Sequence, residues 1–316
     1  MSGMLPFLVR RLLWAPLILF VVSFGTFTLG RYGPGDPVEL RAGLRADEET
    51  IERIREDLGM NDPIVVQYVR YMGDALQGDF GESLARPGTE VSDLIFPKMW
   101  VSMRLGMIAL AATLLLGIPL GLLAALRQGT WMDPFSIGLF LVFQSIPVVV
   151  MIPLLQLVFV LQFSWLPSGG WDGLLSTKII MPVIALSLPG VAGVGRLMRA
   201  TTLSVLDEDY VRMARAKGLS EFTVVSRHVA RNALLPMTTV IGLSLVTLLE
   251  GAFFTETLFG IPGIARLAVD AVFQRDYDVI MALTLIVATA FIAMNILIDI
   301  VYTIIDPRVR FSATES

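Results

Sequence analysis

The stretch FSIGLFLVFQSIPVVVMIPLLQLVFVLQF, residues 135–163, contains 29 residues and not one charged side chain. An α-helix needs about 20 apolar residues to cross the hydrocarbon core of a bilayer, because each residue advances it by about 1.5 Å. The stretch therefore predicts a membrane-spanning helix. Pro147 and Pro153 lie inside it, and we expect them to kink the helix.

Five further stretches are similarly apolar, and each holds at most one charged residue. They are residues 12–29, 101–126, 179–195, 234–254 and 279–305. The first has 18 residues, more than the roughly 7–15 of a signal-peptide core, and is expected to be a retained anchor. Strands of about 10 residues with alternating polarity, typical of a closed barrel, do not occur in the sequence. We predict an all-α polytopic membrane protein with six transmembrane helices.

The overall composition limits the chemistry that the chain can perform. Of 316 residues, 55% are apolar and 16% are charged, whereas soluble domains average about 25% charged residues, so an ordinary soluble enzyme is excluded. The chain has no cysteine and one histidine, His228, which argues against thiolate or histidine metal sites and against a Ser-His-Asp triad. We predict no catalytic residue and no bound metal.

The distribution of charge between the loops predicts the orientation in the membrane. If the N-terminus is cytoplasmic, the segments on that side carry 12 basic and 7 acidic residues. The two short loops on the other side, residues 164–178 and 255–278, carry three basic and five acidic residues. Because basic residues are enriched in cytoplasmic loops, both termini are expected to be cytoplasmic.

Four segments follow from this orientation. Residues 1–30 form the cytoplasmic N-terminus and first span, 31–100 an extracytoplasmic loop, 101–305 a core of five membrane helices, and 306–316 a cytoplasmic tail. In the outer loop we predict one helix at 47–58, capped by Gly59. A second helix has Asp62 as its N-cap and Pro63 at its first helical position, and ends at residues 78–81. A small amphipathic cap on the helix bundle explains this loop, and a docking surface for an external partner is compatible with it.

The segment at residues 199–235 is predicted to be two short cytoplasmic helices joined at a glycine. Asp209 favours the start of the first helix, Arg215 and Lys217 favour its end, and Gly218 stops it. Ser220-Glu221 can start the second helix, which runs to Leu235-Pro236. We call this the helix–glycine–helix segment and expect it to form a rigid protrusion.

The sequence lacks a nucleotide site of the common type. Its three lysines do not occur in a GK[ST] setting, so the chain cannot hydrolyse ATP through a Walker A loop. Gly117 and Gly121 form a small-xxx-small pair, which is explained by close packing of helices.

Polar groups within the predicted spans are candidate functional residues, because a charge in hydrocarbon costs several kcal/mol on most scales (roughly 3 or more). Asp299 shares one helix face with Asn295 and Tyr302, an arrangement that fits either a proton or cation relay or a structural hydrogen bond. Glu250 is a candidate for the solute pathway, and exposure at the membrane interface explains it equally well.

Several motifs, taken in order, resemble the permease subunits of ABC importers, and more narrowly the dipeptide/oligopeptide/nickel branch. The main one is Tyr210-Val-Arg-Met-Ala-Arg-Ala-Lys-Gly218-Leu-Ser, followed by Arg227-His228-x-x-Arg231-Asn232-Ala-Leu-Leu-Pro236. The others are Pro34-Gly35-Asp36-Pro37, Gly78-Asp79-Phe80-Gly81-x-Ser83, Gly117-Ile-Pro-Leu-Gly121, Phe259-Gly-Ile-Pro-Gly263, Arg275-Asp276-Tyr277 and Asp306-Pro307-Arg308. The general permease motif has Glu-Ala-Ala where this chain has Arg212, Met213 and Ala214, which leaves any contact made by that glutamate in doubt. The large outer loop resembles the first of the two sibling permeases.

This resemblance implies a type I-like permease fold in a bacterial or archaeal plasma membrane. The implied partners are a sibling permease, two ATPases that carry ATP and Mg, an extracytoplasmic binding protein and membrane lipid, with no nucleic acid. The implied contact with an ATPase is the coupling segment, made up of Tyr210, Arg212, Ala214, Arg215, Ala216, Lys217, Gly218 and Leu219.

The substrate is left open by the sequence. Peptides are the leading interpretation, and nickel complexes and oligosaccharides are alternatives within the same branch. A self-sufficient secondary transporter would need internal repeats, which we do not find, and an intramembrane enzyme would need paired catalytic residues.

Overall fold

The structure, a computed structural model, describes residues 4–33, 38, 47–57, 59–237, 240–242, 244 and 252–305. Outside the described residues lie the motif at 34–37, Leu58, Glu250 and the tail at 306–316. The side chains of Asp299 and Tyr302 also lie outside them, although their backbone is helical.

The described chain is helical along most of its length. The helices are α1 (Met4–Tyr32), α2 (Glu48–Asp57), α3 (Ile64–Ala75), α4 (Val91–Leu126), α5 (Met132–Ser145), α6 (Val148–Gln156), α7 (Ile180–Leu206), α8 (Asp209–Ala216), α9, α10 (Phe253–Phe259), α11 (Ile264–Gln274) and α12 (Tyr277–Ile305). Helix α6 continues as π-helical turns at Leu157–Gln162. Helix α9 begins at Glu221–Thr223, continues as π-helical turns at Val224–Ala230 and ends at Arg231–Ala233.

Within the described residues, four helices are long and apolar enough to cross a membrane, or five if α5 and α6 form one bent span. The four are α1, α4, α7 and α12, each of which contains a predicted span. About half of the expected span at 234–254 lies outside the described residues, including 245–251, so the total of six stays a prediction.

The longest uncharged stretch is broken more sharply than a simple kink. Helices α5 and α6 meet at an angle of 98°. Ile146 between them is extended, with φ −88° and ψ 113°. Pro147 explains the break, because a proline has no N–H to donate and disfavours helical geometry in the residue before it. Pro153, by contrast, lies inside α6.

Two membrane helices are longer than the apolar stretches from which they were predicted. Helix α4 begins ten residues before position 101, because Val91 and Ile95 are buried in a core with Ile264 and Val279. Helix α7 continues past residue 195 to Leu206. Tertiary packing thus extends both helices into more polar sequence.

The two helices of the outer loop lie where the sequence predicts them, but one predicted cap is wrong. Helix α2 starts after Asp47, whose carboxylate accepts a hydrogen bond from the Thr50 N–H at 3.3 Å. Helix α3 starts after Pro63 without a side-chain cap. Asp62, the predicted cap, pairs instead with Arg70 at 2.7 Å.

The fold comprises two compact units, one formed by residues up to Val101 and from Gly263, the other by Ser102–Pro262. In the first unit, the loop before α4 is held by Asp276, which is 3% exposed. The Asp276 carboxylate accepts hydrogen bonds from the Ser83 hydroxyl and from the Leu84 N–H, the latter at 3.0 Å. A buried carboxylate thus fixes this loop to the start of α12.

In the second unit, α4 and α7 approach closely at two glycines. A Cβ on Gly121 would lie 2.3 Å from the Gly195 carbonyl oxygen, and one on Gly117 would lie 2.9 Å from the Val194 Cβ. The structure agrees with the predicted packing role of this glycine pair. Small residues are needed here because the helix backbones leave no room for side chains.

An ion pair joins α5 to α7 in the same unit. The Arg199 Nε and a second guanidinium nitrogen donate to the two Asp133 oxygens at 2.6 and 2.8 Å. The two side chains are 21% and 11% exposed, respectively. The sequence placed both residues on the same side of the membrane but did not predict that they pair.

We expect Asp133→Ala to lower the free energy of unfolding by about 2 kcal/mol or more, because it leaves a largely buried guanidinium without its partner. The matched control is Asp172→Ala, which removes the 2.6 Å ion pair with Lys178, where the carboxylate is 59% exposed. Exposed pairs contribute about 0–1 kcal/mol. Thermal unfolding of both variants in detergent measures the difference, and equal melting temperatures would contradict the expectation.

Candidate functional site

The helix–glycine–helix segment has the predicted break at Gly218. Helix α8 ends at Ala216, and Gly218 follows with φ +77°, a left-handed conformation that glycine adopts without strain. The Gly218 N–H donates to the Arg215 oxygen at 2.9 Å, and the Leu219 N–H donates to the Ala214 oxygen at 3.4 Å. These two bonds form a Schellman motif, which ends a helix and reverses the chain.

The segment has its own small hydrophobic core. Val211 and Ala214 of α8 pack against Val224 and Val229 of α9, and all four are at most 5% exposed. Val205 and Leu206 at the end of α7 pack against the same cluster. Because the core includes the end of α7, the segment and α7 are connected by packing as well as by the chain.

Most of the predicted coupling residues lie on the surface of this segment. Tyr210 and Leu219 are 41% and 42% exposed. Exposed as well are Arg212, Arg215, Ala216, Lys217 and Gly218. Ala214 differs, because its side chain is only 5% exposed and faces the internal core. Its small size therefore serves packing within the segment.

Two exposed apolar side chains were not singled out from the sequence. Met213 is 57% exposed on α8, and Phe222 is 83% exposed on α9. The sequence contained a signal for them. Both are apolar residues in a charged segment, and neither falls on the helix face that carries the buried Val211 and Ala214. Exposed methionine and aromatic side chains are enriched at protein interfaces.

A charge pair connects the two sides of the glycine turn. The Arg215 guanidinium donates to both oxygens of Glu221, at 3.2 and 2.7 Å. These bonds lower the pKa of Glu221, and the carboxylate raises the pKa of Arg215. Because the pKa of this carboxyl group is lower in the folded state, the group stabilises the turn at pH values above its unfolded pKa. This stabilisation is lost as the pH falls through the folded pKa. The pair is therefore formed at neutral pH.

The second candidate region is a crevice between α4 and α7. Small side chains on α4 recur at three- and four-residue spacing, at Ser102, Gly106, Ala109 and Thr113. They face a cavity of about 280 Å³. Its lining, which carries no charged side chain among the described residues, consists of Ser102, Leu105, Gly106, Ala109, Leu110, Thr113, Leu186, Gly190, Ser244 and Ala252.

The crevice narrows towards Gly117 and Gly121, which continue the same small-residue stripe of α4 into its close approach to α7. The periodic spacing of small residues from Ser102 to Gly121 was the signal in the sequence. Periodicity alone does not distinguish a stripe that packs tightly from one that lines a cavity, because both need small side chains.

Glu256 lies at the other end of the crevice and is fully buried. Its Oε1 accepts a hydrogen bond from the Ser102 hydroxyl at 2.6 Å and one from the Ala252 N–H at 3.3 Å. The sequence placed this residue in the short outer loop at 255–278 and did not indicate that its side chain is buried. The short helix α10 turns Glu256 inward, while Phe253 and Phe254 on the same helix are 44% and 46% exposed.

The predicted intramembrane polar residues are only partly described. The Asn295 side-chain amide donates to the Phe291 carbonyl at 2.8 Å, a bond within α12. Asp299, Tyr302 and Glu250 lie outside the described side chains, so the relay and the pathway role of Glu250 stay predictions. Within the described residues, no three His, Asp or Glu side chains form a group that could hold a metal ion.

Comparison with known proteins gives two family matches. Residues 117–311 match the model described as the binding-protein-dependent transport system inner membrane component. Residues 4–86 match the model of the N-terminal part of such membrane components.

Relatives of known designation match nearly the whole chain. The oligopeptide transport system permease protein OppB of Haemophilus influenzae is 37% identical, over 98% of this chain and 100% of its own length. The corresponding AppB protein of Bacillus subtilis is 35% identical, again over 98% and 100%. A probable peptide ABC transporter permease of Sinorhizobium fredii is 36% identical, over 96% and 99%.

Solved structures with the same fold cover two thirds of the chain. An amino acid ABC transporter crystallised with histidines has a TM-score of 0.51 at 17% identity, covering 66% of this chain and 93% of that one. The inward-facing MetNI methionine ABC transporter has a TM-score of 0.51 at 15% identity, covering 66% and 96%. At this identity the similarity concerns the fold alone.

Proposed function

The chain belongs to the family of binding-protein-dependent transport system inner membrane components, and on that premise we propose that it passes peptides across the membrane as one of two permease subunits. Members of this family are permease subunits of ABC importers and lack a nucleotide site of their own. They work with a separate ATPase and with a binding protein. Their place is the inner membrane, which they cross several times.

The observation that carries the mechanism is the position of α7. At one end its Leu186 and Gly190 line the crevice, and at the other Leu206 packs into the core of the helix–glycine–helix segment. The distance from Gly190 to Leu206 is about 24 Å at 1.5 Å per residue. A displacement of the segment by an ATPase would thus move one wall of the crevice as a rigid body.

The helix–glycine–helix segment would dock on the ATPase through its exposed side chains. Tyr210, Met213 and Phe222 supply apolar contact area, and Arg212 and Lys217 supply positive charge. Contacts of this composition are typical of protein interfaces. The segment would lie on the cytoplasmic side, in agreement with its excess of basic residues.

The finer organisation follows the expectation from the sequence. The complex would contain a sibling permease, two ATPases that carry ATP and Mg, and an extracytoplasmic binding protein. Residues 31–100 would form the extracytoplasmic part, residues 101–305 the core that transports solute, and 306–316 a cytoplasmic tail.

Peptides are the favoured substrate because three relatives that match nearly the full length carry peptide or oligopeptide designations. The crevice supports this choice, since its uncharged lining of hydroxyl and small apolar side chains imposes no charge preference on a solute. Nickel complexes and oligosaccharides remain the alternatives.

Purification from the native membrane in mild detergent, followed by mass spectrometry, tests the assembly. We expect one sibling permease and two ATPases to co-purify, and the reconstituted complex with its binding protein to take up a labelled tripeptide when ATP is supplied. Uptake of a nickel chelate or an oligosaccharide in place of the tripeptide would show that peptides are not the substrate. A lone chain without an ATPase after cross-linking would contradict the proposal.

Met213→Asp should weaken the binding of the ATPase by about tenfold or more, because it places a charge and its hydration shell in an apolar contact. The folded chain should be unaffected, since Met213 is 57% exposed. Gln128→Asp is the matched control, an exposed position in the loop between α4 and α5. Titration of the reconstituted permease pair with the ATPase measures both, and equal affinities would remove Met213 from the interface.

A further inference from the structure

Helix α3 in the outer loop leaves an apolar face uncovered. Val65, Val69 and Leu76 are 59%, 63% and 84% exposed, and Val66 is 47% exposed. Positions 65, 69 and 76 lie within one narrow arc of the helix at 100° per residue. An exposed apolar arc of this kind on a soluble loop would be costly in water, so something other than solvent is expected to cover it.

A second face of α3, about 80° around the helix from the exposed arc, shows how deep the helix lies. The Tyr68 hydroxyl and the Ser23 hydroxyl of α1 are hydrogen-bonded at 2.7 Å. The Tyr68 ring also contacts the rings of Phe20, Phe24 and Phe27, at centroid distances of 5.8, 5.2 and 5.6 Å. These contacts extend over about 10 Å of the α1 axis at 1.5 Å per residue.

Ser23 lies near the middle of the membrane span of α1. The apolar span is Leu13–Tyr32, 20 residues, and Ser23 is the eleventh of them. Twenty helical residues match the thickness of the hydrocarbon core, about 30 Å. Tyr68 therefore reaches below the headgroups into the hydrocarbon, and α3 cannot lie wholly in the water above it.

The polar residues of α3 lie away from the exposed apolar arc. Arg70 pairs with Asp62 at 2.7 Å, and Asp74 is exposed. Positions 70 and 74 are about 140° and 180° from position 65 around the helix. An apolar arc beside a charged side is typical of helices that lie in the interface of a membrane.

We propose that α3 is inserted into the membrane interface, with Val65, Val69 and Leu76 against the acyl chains of the leaflet on the Tyr32 side of α1. Val21 and Leu29, which lie within the predicted span of α1, are 60% and 70% exposed. With both termini cytoplasmic, this is the outer leaflet. Helix α3 then anchors the outer loop from within the bilayer and leaves α2 in water.

The absence of cysteine from the chain permits a direct test. Val69→Cys carries a nitroxide label in the complete complex, reconstituted in vesicles of phosphatidylethanolamine and phosphatidylglycerol. We expect collisions with oxygen to exceed collisions with a water-soluble nickel chelate several-fold, because oxygen concentrates in hydrocarbon. Glu48→Cys on exposed α2 should show the reverse, and Leu29→Cys is the lipid-facing reference.

Two outcomes would overturn the proposal. Access of the nickel chelate to Val69→Cys equal to that at Glu48→Cys would place the arc in water. An immobilised label shielded from both reagents would place it under another protein subunit. If Val69→Cys fails to assemble, Val65→Cys takes its place on the same arc. The test does not depend on the transported solute, so failure of the peptide proposal leaves it unaffected.

Discussion

Peptide uptake by the Gly218→Val variant is expected to fall by at least about tenfold, while the chain still inserts into the membrane. The loss follows from the backbone, because Gly218 has φ +77° and a β-branched residue is strained there. Without that conformation the Schellman bonds of Gly218 and Leu219 break, and α9 leaves α8 at another angle. The docking surface that we propose for the two helices is then lost.

Crowding does not explain this loss. A Cβ on Gly218 would meet no atom of the described residues within 4 Å, its chain neighbours aside. Gly129→Val is the matched control, because Gly129 has φ +79° and equally open surroundings but lies outside the segment. Gly218→Asn should retain most uptake, since asparagine tolerates the left-handed region.

ATP-dependent uptake in reconstituted vesicles, normalised to inserted protein, measures the three variants. Wild-type uptake by Gly218→Val would remove the coupling role of the segment. An equal loss of uptake in Gly129→Val would show that the effect comes from strain at any glycine with positive φ and not from lost docking.

Gly121→Val should reduce the yield of folded protein more than Asp133→Ala or either substitution at Gly218. Its Cβ would lie 2.3 Å from the Gly195 carbonyl oxygen and 2.8 Å from the Met198 Cβ. Neither the carbonyl nor the helix backbone can move without separating α4 from α7. Overpacking typically costs about 1–3 kcal/mol and occasionally more, and a backbone clash belongs at the upper end.

Gly138→Val provides the comparison, because Gly138 is also in a membrane helix, α5, and a Cβ there meets no described atom within 4 Å. Both substitutions carry the same change in helix propensity, so the difference between them reports packing alone. Size-exclusion profiles and thermal unfolding in detergent should separate the two variants. Similar profiles would show that α4 and α7 are not in close contact in the membrane.

The sequence was most informative where the physical cause is local. Runs of apolar residues predicted the spans within α1, α4, α7 and α12, because a helix must satisfy its backbone groups internally in hydrocarbon. Gly218 predicted the end of α8, because a glycine in the left-handed conformation ends a helix through hydrogen bonds to residues only a few positions away.

The sequence failed where the cause is a contact between distant positions. Asp133 and Arg199 are 66 residues apart, and Ser102 and Glu256 are 154 apart, so no local pattern indicates that they pair. For the same reason the sequence did not show that the Ala214 side chain is buried, because this depends on the packing of α9 against α8.

The sequence by itself therefore determined a helical membrane protein with a glycine-stopped helix pair in a basic segment, since hydropathy, charge and glycine geometry act over a few neighbouring residues. Only the tertiary structure decided that the stripe of small residues on α4 packs against α7 at Gly121 and lines a cavity at Ser102. It also decided that α3 lies beside the C-terminal half of α1. The reason is that a small or apolar side chain suits a helix contact, a cavity wall and a lipid-facing surface equally well. Which of these it forms depends on the neighbour that the fold brings to it.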